Sequence, residues 1–197
     1  LALVLTAFSA WIVPRDRLHV PPDASDRAPW WHLFRSRSFV ILVISAALIQ
    51  GSHATFYQQS TVYWNAHGID KSTAAMLWGE GVLAEIVLLF FAKHTLEKMR
   101  PTTLLLLGGS GAVVRWLVIG STTSLPWLFA TNWLHAISFA ATYLGAIGAV
   151  ERRVPVEQRA TAQGILGAAQ AGGGMVFCGL IGGFAFERYQ GHAFYFM

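Results

Sequence analysis

Five apolar stretches, each long enough to cross a bilayer, leave this chain very few folds to adopt. An α-helix crosses about 30 Å of hydrocarbon in roughly 20 residues. Segments 38–64, 73–92, 102–120, 125–150 and 160–186 all meet that length. Segment 1–13 is apolar but too short to cross, and it starts without a methionine or a basic flank. It reads as the end of a truncated transmembrane helix, not as a signal peptide. A further apolar run starts at Ala193. The expected fold class is all-α: a polytopic membrane helix bundle of five complete spans and two partial ones, cut from a larger protein. Composition agrees, since 54% of residues are hydrophobic and 12% are charged, whereas a soluble domain carries about 25% charged residues. That excludes a water-solvated globule, and the high hydrophobicity excludes a disordered chain. A single cysteine excludes an intrachain disulfide and a cysteine metal cluster. Cys178 is most simply a small packing residue.

The loops between these stretches alternate in charge. Segment 14–37 holds Arg15, Arg17, Arg27, Arg35 and Arg37; segment 93–101 holds Lys93, Lys98 and Arg100; segment 151–159 holds Arg152, Arg153 and Arg159. Eleven of the fourteen lysines and arginines thus fall on alternate loops. The positive-inside rule places those three loops in the cytoplasm, as expected for a multi-pass protein of a bacterial inner membrane. The excess of positive charge therefore reports topology, and no nucleic-acid partner is expected. Segment 14–37 also carries Pro14, Pro21, Pro22 and Pro29 and reads as a linker ahead of a bundle at 38–197. No phosphate-binding glycine loop precedes a soluble helix, so no nucleotide-driven motor is encoded here.

Three charged residues interrupt the spans: Glu80, Glu85 and Arg115. Each costs about 2.5–3.5 kcal/mol on insertion scales, so each calls for a partner or a water-filled cavity. Helical rise puts Glu80 roughly 12 Å, Glu85 roughly 20 Å, Arg115 roughly 9 Å and His135 roughly 15 Å below one face of the membrane. The two carboxylates point about 140° apart on their helix and cannot share one task. Arg115 is in reach of Glu80, as an ion pair that orients two helices, and its long side chain extends toward Glu85. A carboxylate in such a poorly hydrated place can also carry a proton. His135 lies on a polar stripe with Thr131, Ser138 and Thr142 at steps of three and four. Gln50, His53, Tyr57 and Thr61 form another, with Gln58 beside them. Such stripes are either interhelical hydrogen bonds or one wall of an aqueous cavity that holds a small solute. Segment 164–183 is glycine-rich, which permits close helix packing and also bending or sliding.

Several of these segments resemble the major facilitator superfamily in its carboxyl-terminal half. G-S-H-A-T-F-Y at 51–57, L-W-G-E-G-V-L-A-E at 77–85, V-V-R-W at 113–116 and L-P-W-L-F-A-T-N-W-L-H at 125–135 resemble the 3-phenylpropionate permease group. That group is akin to proton-coupled sugar and nucleoside permeases. The resemblance implies half of a twelve-helix fold and a partner in the missing amino-terminal half. It also implies a central site opening alternately to either side, in a molecule monomeric when full length. In lactose-type permeases of this superfamily a glutamate, an arginine and a histidine on three successive helices serve substrate binding and proton coupling; the matching positions are Glu85, Arg115 and His135. Glu80 departs from that pattern, and segment 93–101 holds a degenerate form of the superfamily's basic gating loop.

The expected function is secondary active transport: proton-coupled uptake of a small organic solute, with an aromatic carboxylate such as a phenylpropionate first and a sugar or nucleoside as alternatives. The proton gradient replaces any cofactor, and no metal or catalytic residue is expected. Gln50, His53, Tyr57, Gln58, Thr131, Ser138 and Thr142 are the expected substrate contacts. A remote enzyme reading rests on G-G-S-G at 108–111, which matches the G-x-S-G pattern of rhomboid intramembrane proteases, with Ser110 and His135 as a dyad. Four glycine-rich residues arise easily by chance, and no second histidine and asparagine set supports an oxyanion. A receptor or assembly subunit that binds without transport is a third class.

Overall fold

A computed structural model describes residues 29–197, with the backbone alone for Ala92, Lys93 and Glu97. The helix end expected at 1–13 and most of the linker expected at 14–37 lie outside the described residues. Among the described residues there are five helices long and apolar enough to cross a membrane. These are α1 (Arg37–Ala66), α2 (Lys71–Lys98), α3 (Pro101–Ser121), α4 (Leu125–Arg153) and α5 (159–189). The five spans expected from sequence are present, each within a few residues at its apolar boundaries. The segment 93–101 is not the loop that its charges suggested: α2 continues to Lys98, and Met99 and Arg100 make the whole connection before Pro101. Charge ends a stretch that can sit in hydrocarbon, but it does not end a helix. The apolar run at Ala193 forms part of a 3-10 helix, Gln190–Phe196, that folds back on the bundle. Phe194 is fully buried there, and the Tyr195 hydroxyl lies 2.9 Å from Ser121 Oγ at the end of α3.

Local chemistry sets the helix ends. Pro101 and Pro126 occupy first turns, where a missing N–H costs nothing. Gly68, at φ +83°, closes the end of α1, with the Ile69 N–H donating to the Trp64 carbonyl. Asp70 caps α2: its carboxylate accepts from the hydroxyls and backbone N–H groups of Ser72 and Thr73. The bonds from Ser72 first, then Thr73, hold the Asp70 carboxyl well below the usual carboxylate range.

Two large apolar clusters fill the bundle, with a small third one of Ala185, Phe186 and Ala193. At the basic end, Phe39, Leu42 and Ala46 of α1 pack with Ala146 and Val150 of α4 and Leu166 of α5. At the opposite end, Phe56 and Trp64 of α1 pack with Leu77 of α2, Trp116 and Ile119 of α3, and Leu128 of α4. The polar groups of α1 and α4 lie between the two. One face of α2 exposes Val82, Leu83, Ile86 and Phe90. Exposed side chains of this kind suit a bilayer.

α1 and α5 touch backbone to backbone. A Cβ on Gly174 would lie 2.2 Å from the Ala47 carbonyl oxygen, and one on Gly51 would lie 2.4 Å from the Gly174 carbonyl oxygen. Neither carbonyl can swing aside. A Cβ on Gly172, two residues away, would meet nothing within 4 Å. Gly174→Ala should therefore lower stability by about 1–3 kcal/mol, and Gly172→Ala should lower it not at all, measured by thermal unfolding in detergent. Asp70 yields a second prediction. Its depressed carboxyl contributes stability above the ordinary carboxylate pKa of about 3.9, and that contribution is lost as pH falls through the lower folded value. Asp70→Ala should lower Tm at neutral pH, and the difference from the native protein should close as the pH is taken down from 5.

Candidate functional site

The central polar groups form one hydrogen-bonded chain across four helices. Glu85 Oε1 of α2 lies 2.7 Å from His135 Nε2 of α4. The other ring nitrogen, His135 Nδ1, lies 2.9 Å from Arg115 Nη1 of α3. Nη1 also reaches Ser138 Oγ at 3.4 Å, and Ser138 Oγ lies 3.1 Å from His53 Nε2 of α1. A guanidinium can only donate, so His135 Nδ1 accepts and Nε2 carries the proton that goes to Glu85. His135 thus stands between the cation and the carboxylate.

Arg115 has no exposed surface. Its Cζ lies 4.9 Å from the centre of the Phe56 ring and 4.8 Å from that of Trp116, and such ring faces attract a guanidinium. Nε and Nη2 have no hydrogen-bond partner among the described residues. These two nitrogens form the edge that holds a carboxylate by two parallel bonds. The local sequence explains how an arginine can lie here. The V-V-R-W run puts Trp116 beside it, and the Trp116 indole is fixed by a 3.0 Å bond to Ser52 Oγ of α1.

Arg115, Glu85 and His135 line a pocket of about 170 Å3 together with Tyr57, Trp78, Asn132 and Phe139. Tyr57 and Trp78 have ring centres 5.6 Å apart, and the Trp78 indole donates to Thr61 Oγ1 at 3.0 Å. Asn132 donates to the Leu77 carbonyl at 2.8 Å, which ties α4 to α2. Phe56, Trp78, Asn132 and Phe139 were not singled out in the sequence. Three of them are aromatic and indistinguishable from core residues without a map of the cavity, and Asn132 falls one residue beyond Thr131 on a different helical face. A π-helical turn at Ile137–Ala141 adjoins His135. Such turns often accompany functional sites because the wider turn re-aims the side chains that follow.

The structure places the other expected residues differently. The Glu80–Arg115 ion pair is not formed: Glu80 is hydrogen-bonded with Trp133, while Arg115 binds His135 and Ser138. Their separation around and along the helices outweighs their nominal depth. Thr131 Oγ1 donates to the Trp127 and Leu128 carbonyls and Thr142 Oγ1 to that of Ser138, so both hydroxyls are spent within their own helix. Thr142 also packs against Gly108 of α3. Gln58 faces Gly179 of α5, away from the pocket. Gln50 is buried, does not line the pocket, and its Oε1 has no hydrogen-bond partner among the described residues. His53 is fully buried and does not line it either.

The model of the MFS_1 like family matches residues 4–197. The chain belongs to this major facilitator family. It is 31% identical over 150 residues to the "Probable 3-phenylpropionic acid transporter" of Escherichia coli (strain K12), covering 76% of this chain and 39% of that protein. It is 24% identical over 165 residues to the "Uncharacterized transporter YwbF" of Bacillus subtilis (strain 168), covering 84% of this chain and 41% of that protein. The chain thus spans about two fifths of the length of these curated relatives. No solved structure matches it. A major facilitator chain is not an enzyme, and the protease reading also fails on geometry. Ser110 lines an outer groove between α1 and α3 with Ile41, Leu105 and Val113, whereas His135 lines the inner pocket.

Proposed function

We propose that this chain is the carboxyl-terminal half of a proton-coupled importer of a small aromatic carboxylate in a bacterial inner membrane, with its basic ends in the cytoplasm. The missing amino-terminal half would close the site from the other side, and the cavity would open alternately to each face. The observation that carries this reading is the unpaired Nε–Nη2 edge of a fully buried arginine lining the pocket. An unspent charged donor edge costs stability unless an anion uses it. The aromatic side chains around the pocket suit a ring attached to that anion. 3-Phenylpropionic acid, the solute for which the E. coli relative is named, has both parts.

Charge balance links the solute to the proton. With Glu85 ionised, His135 neutral and Arg115 cationic, the cluster has no net charge. A proton on Glu85 leaves one positive charge in a dry site, and a carboxylate on Arg115 restores zero. Each ligand therefore strengthens binding of the other. The loaded, neutral cavity can rearrange at lower desolvation cost than one that holds an unpaired charge. Glu80, bound to Trp133 and apart from this chain of groups, takes no part.

The test is uptake of radiolabelled 3-phenylpropionate by the full-length protein in proteoliposomes. Glu85→Gln is expected to abolish accumulation against a gradient while exchange of internal for external solute continues. Glu80→Gln is expected to leave accumulation intact. Uphill uptake by Glu85→Gln would refute the role given to Glu85. Absence of binding and flux in the native protein would refute the carboxylate reading.

A further inference from the structure

We propose that His53 is a positioning residue for the anion site: through Ser138 it aims Arg115, without touching the solute. This rests on the reading of Arg115 as the carboxylate seat. His53 lies outside the pocket lining and has no exposed surface. Its ring packs at 5.1 Å from Trp116 and 5.4 Å from His135, the neighbours of Arg115 on either side.

The hydrogen bonds give the ring a definite orientation. Nδ1 lies 3.0 Å from the Ile49 carbonyl oxygen, which accepts only, so Nδ1 carries the proton. Nε2 is then free to accept, and the Ser138 hydroxyl 3.1 Å away supplies the hydrogen. A second proton on Nε2 would set another cation beside Arg115 in a fully buried place. Ser138 has one hydrogen and two possible uses for it, His53 Nε2 or the His135 carbonyl at 3.1 Å in its own helix. His53 decides between them. With the hydrogen committed to Nε2, the Ser138 lone pairs are held toward Arg115 Nη1 at 3.4 Å, and Nη1 stays divided between Ser138 and His135 Nδ1. Without His53 the hydroxyl falls back to the helix carbonyl and its lone pairs turn with it. The guanidinium then loses one of the two bonds that fix which edge it presents.

His53→Ala, Ser138→Ala and His53→Gln in the full-length protein separate this role from the alternatives. Loss of one such bond is worth about tenfold in affinity. His53→Ala should raise the KM for 3-phenylpropionate by about that factor while the ratio of protons to solute stays unchanged. Ser138→Ala, the loss of a single atom, should match it, and the double variant should be no worse than either single one. Gln sets an amide oxygen near the place of Nε2, so His53→Gln should recover most of the affinity although it cannot titrate. Uncoupled uptake in His53→Gln would make His53 a proton carrier and overturn the proposal; so would multiplying effects of the two alanine variants, or an unchanged KM in Ser138→Ala. Nitrogen-15 NMR of the histidine rings in the solute-free protein reads the same chain independently of transport. His135 Nδ1 should shift in both alanine variants and return toward its native position in His53→Gln. If the native protein ignores 3-phenylpropionate but these shifts appear, the substrate reading fails and the positioning role stands; if they do not appear, the positioning role fails.

Discussion

A guanidinium without any exposed surface is the constraint around which this half-bundle is arranged. Charge in an apolar interior costs several kcal/mol unless it is paired and hydrogen-bonded. Arg115 meets that cost in three ways: the adjacent rings of Phe56 and Trp116, His135 and Ser138 at Nη1, and the nearby charge of Glu85 relayed through the imidazole. The partners come from all four of the helices α1 to α4. Moving any one of α1 to α4 would disturb the solvation of a single ion. The two apolar clusters above and below supply the area that holds the helices together, and the ion sets their relative height.

Much of the fold was legible because a bilayer imposes a length and a polarity on every span. Apolar run lengths and alternating basic loops were sufficient to find five helices. They failed where composition and conformation part company. The charged end of α2 remains helical, and the aromatic run after α5 turns back against α3. The site was legible for a related reason. An ionisable residue in a span must have a partner, and Glu85, Arg115 and His135 do meet in space. Which partner each one takes was not legible. Depth along a helix is one coordinate of three, and it made Glu80 look as good a partner for Arg115 as any.

The α4 stripe shows why helical spacing misleads at this particular place. Thr131, His135, Ser138 and Thr142 share a face only on a regular helix. The π-helical turn at Ile137–Ala141 has a wider period, so residues beyond it are out of phase with those before it. His135 and Ser138 stay at the site, while Thr142 turns onto Gly108 of α3. The turn thus gives α4 two faces, the hydrogen-bonded polar chain on one side and close packing on the other.

α5 is joined to the bundle by a different kind of contact. The polar chain ties α2, α4, α3 and α1 at one level, and α5 contributes no side chain to it. Besides Leu166 in the apolar cluster, α5 is held by close approach of its backbone, with Gly174 against the Ala47 carbonyl and Gly182 against the Thr55 side chain of α1. Such contacts resist separation but are insensitive to charge. A change of charge at the pocket would therefore bear on the four helices that meet around Arg115 before it bears on α5. The glycines of α5 that meet nothing, Gly164, Gly167, Gly172, Gly173 and Gly183, lie outside that seam. The small residues of this helix thus fall into two sets, one required by the α1 contact and one free of it.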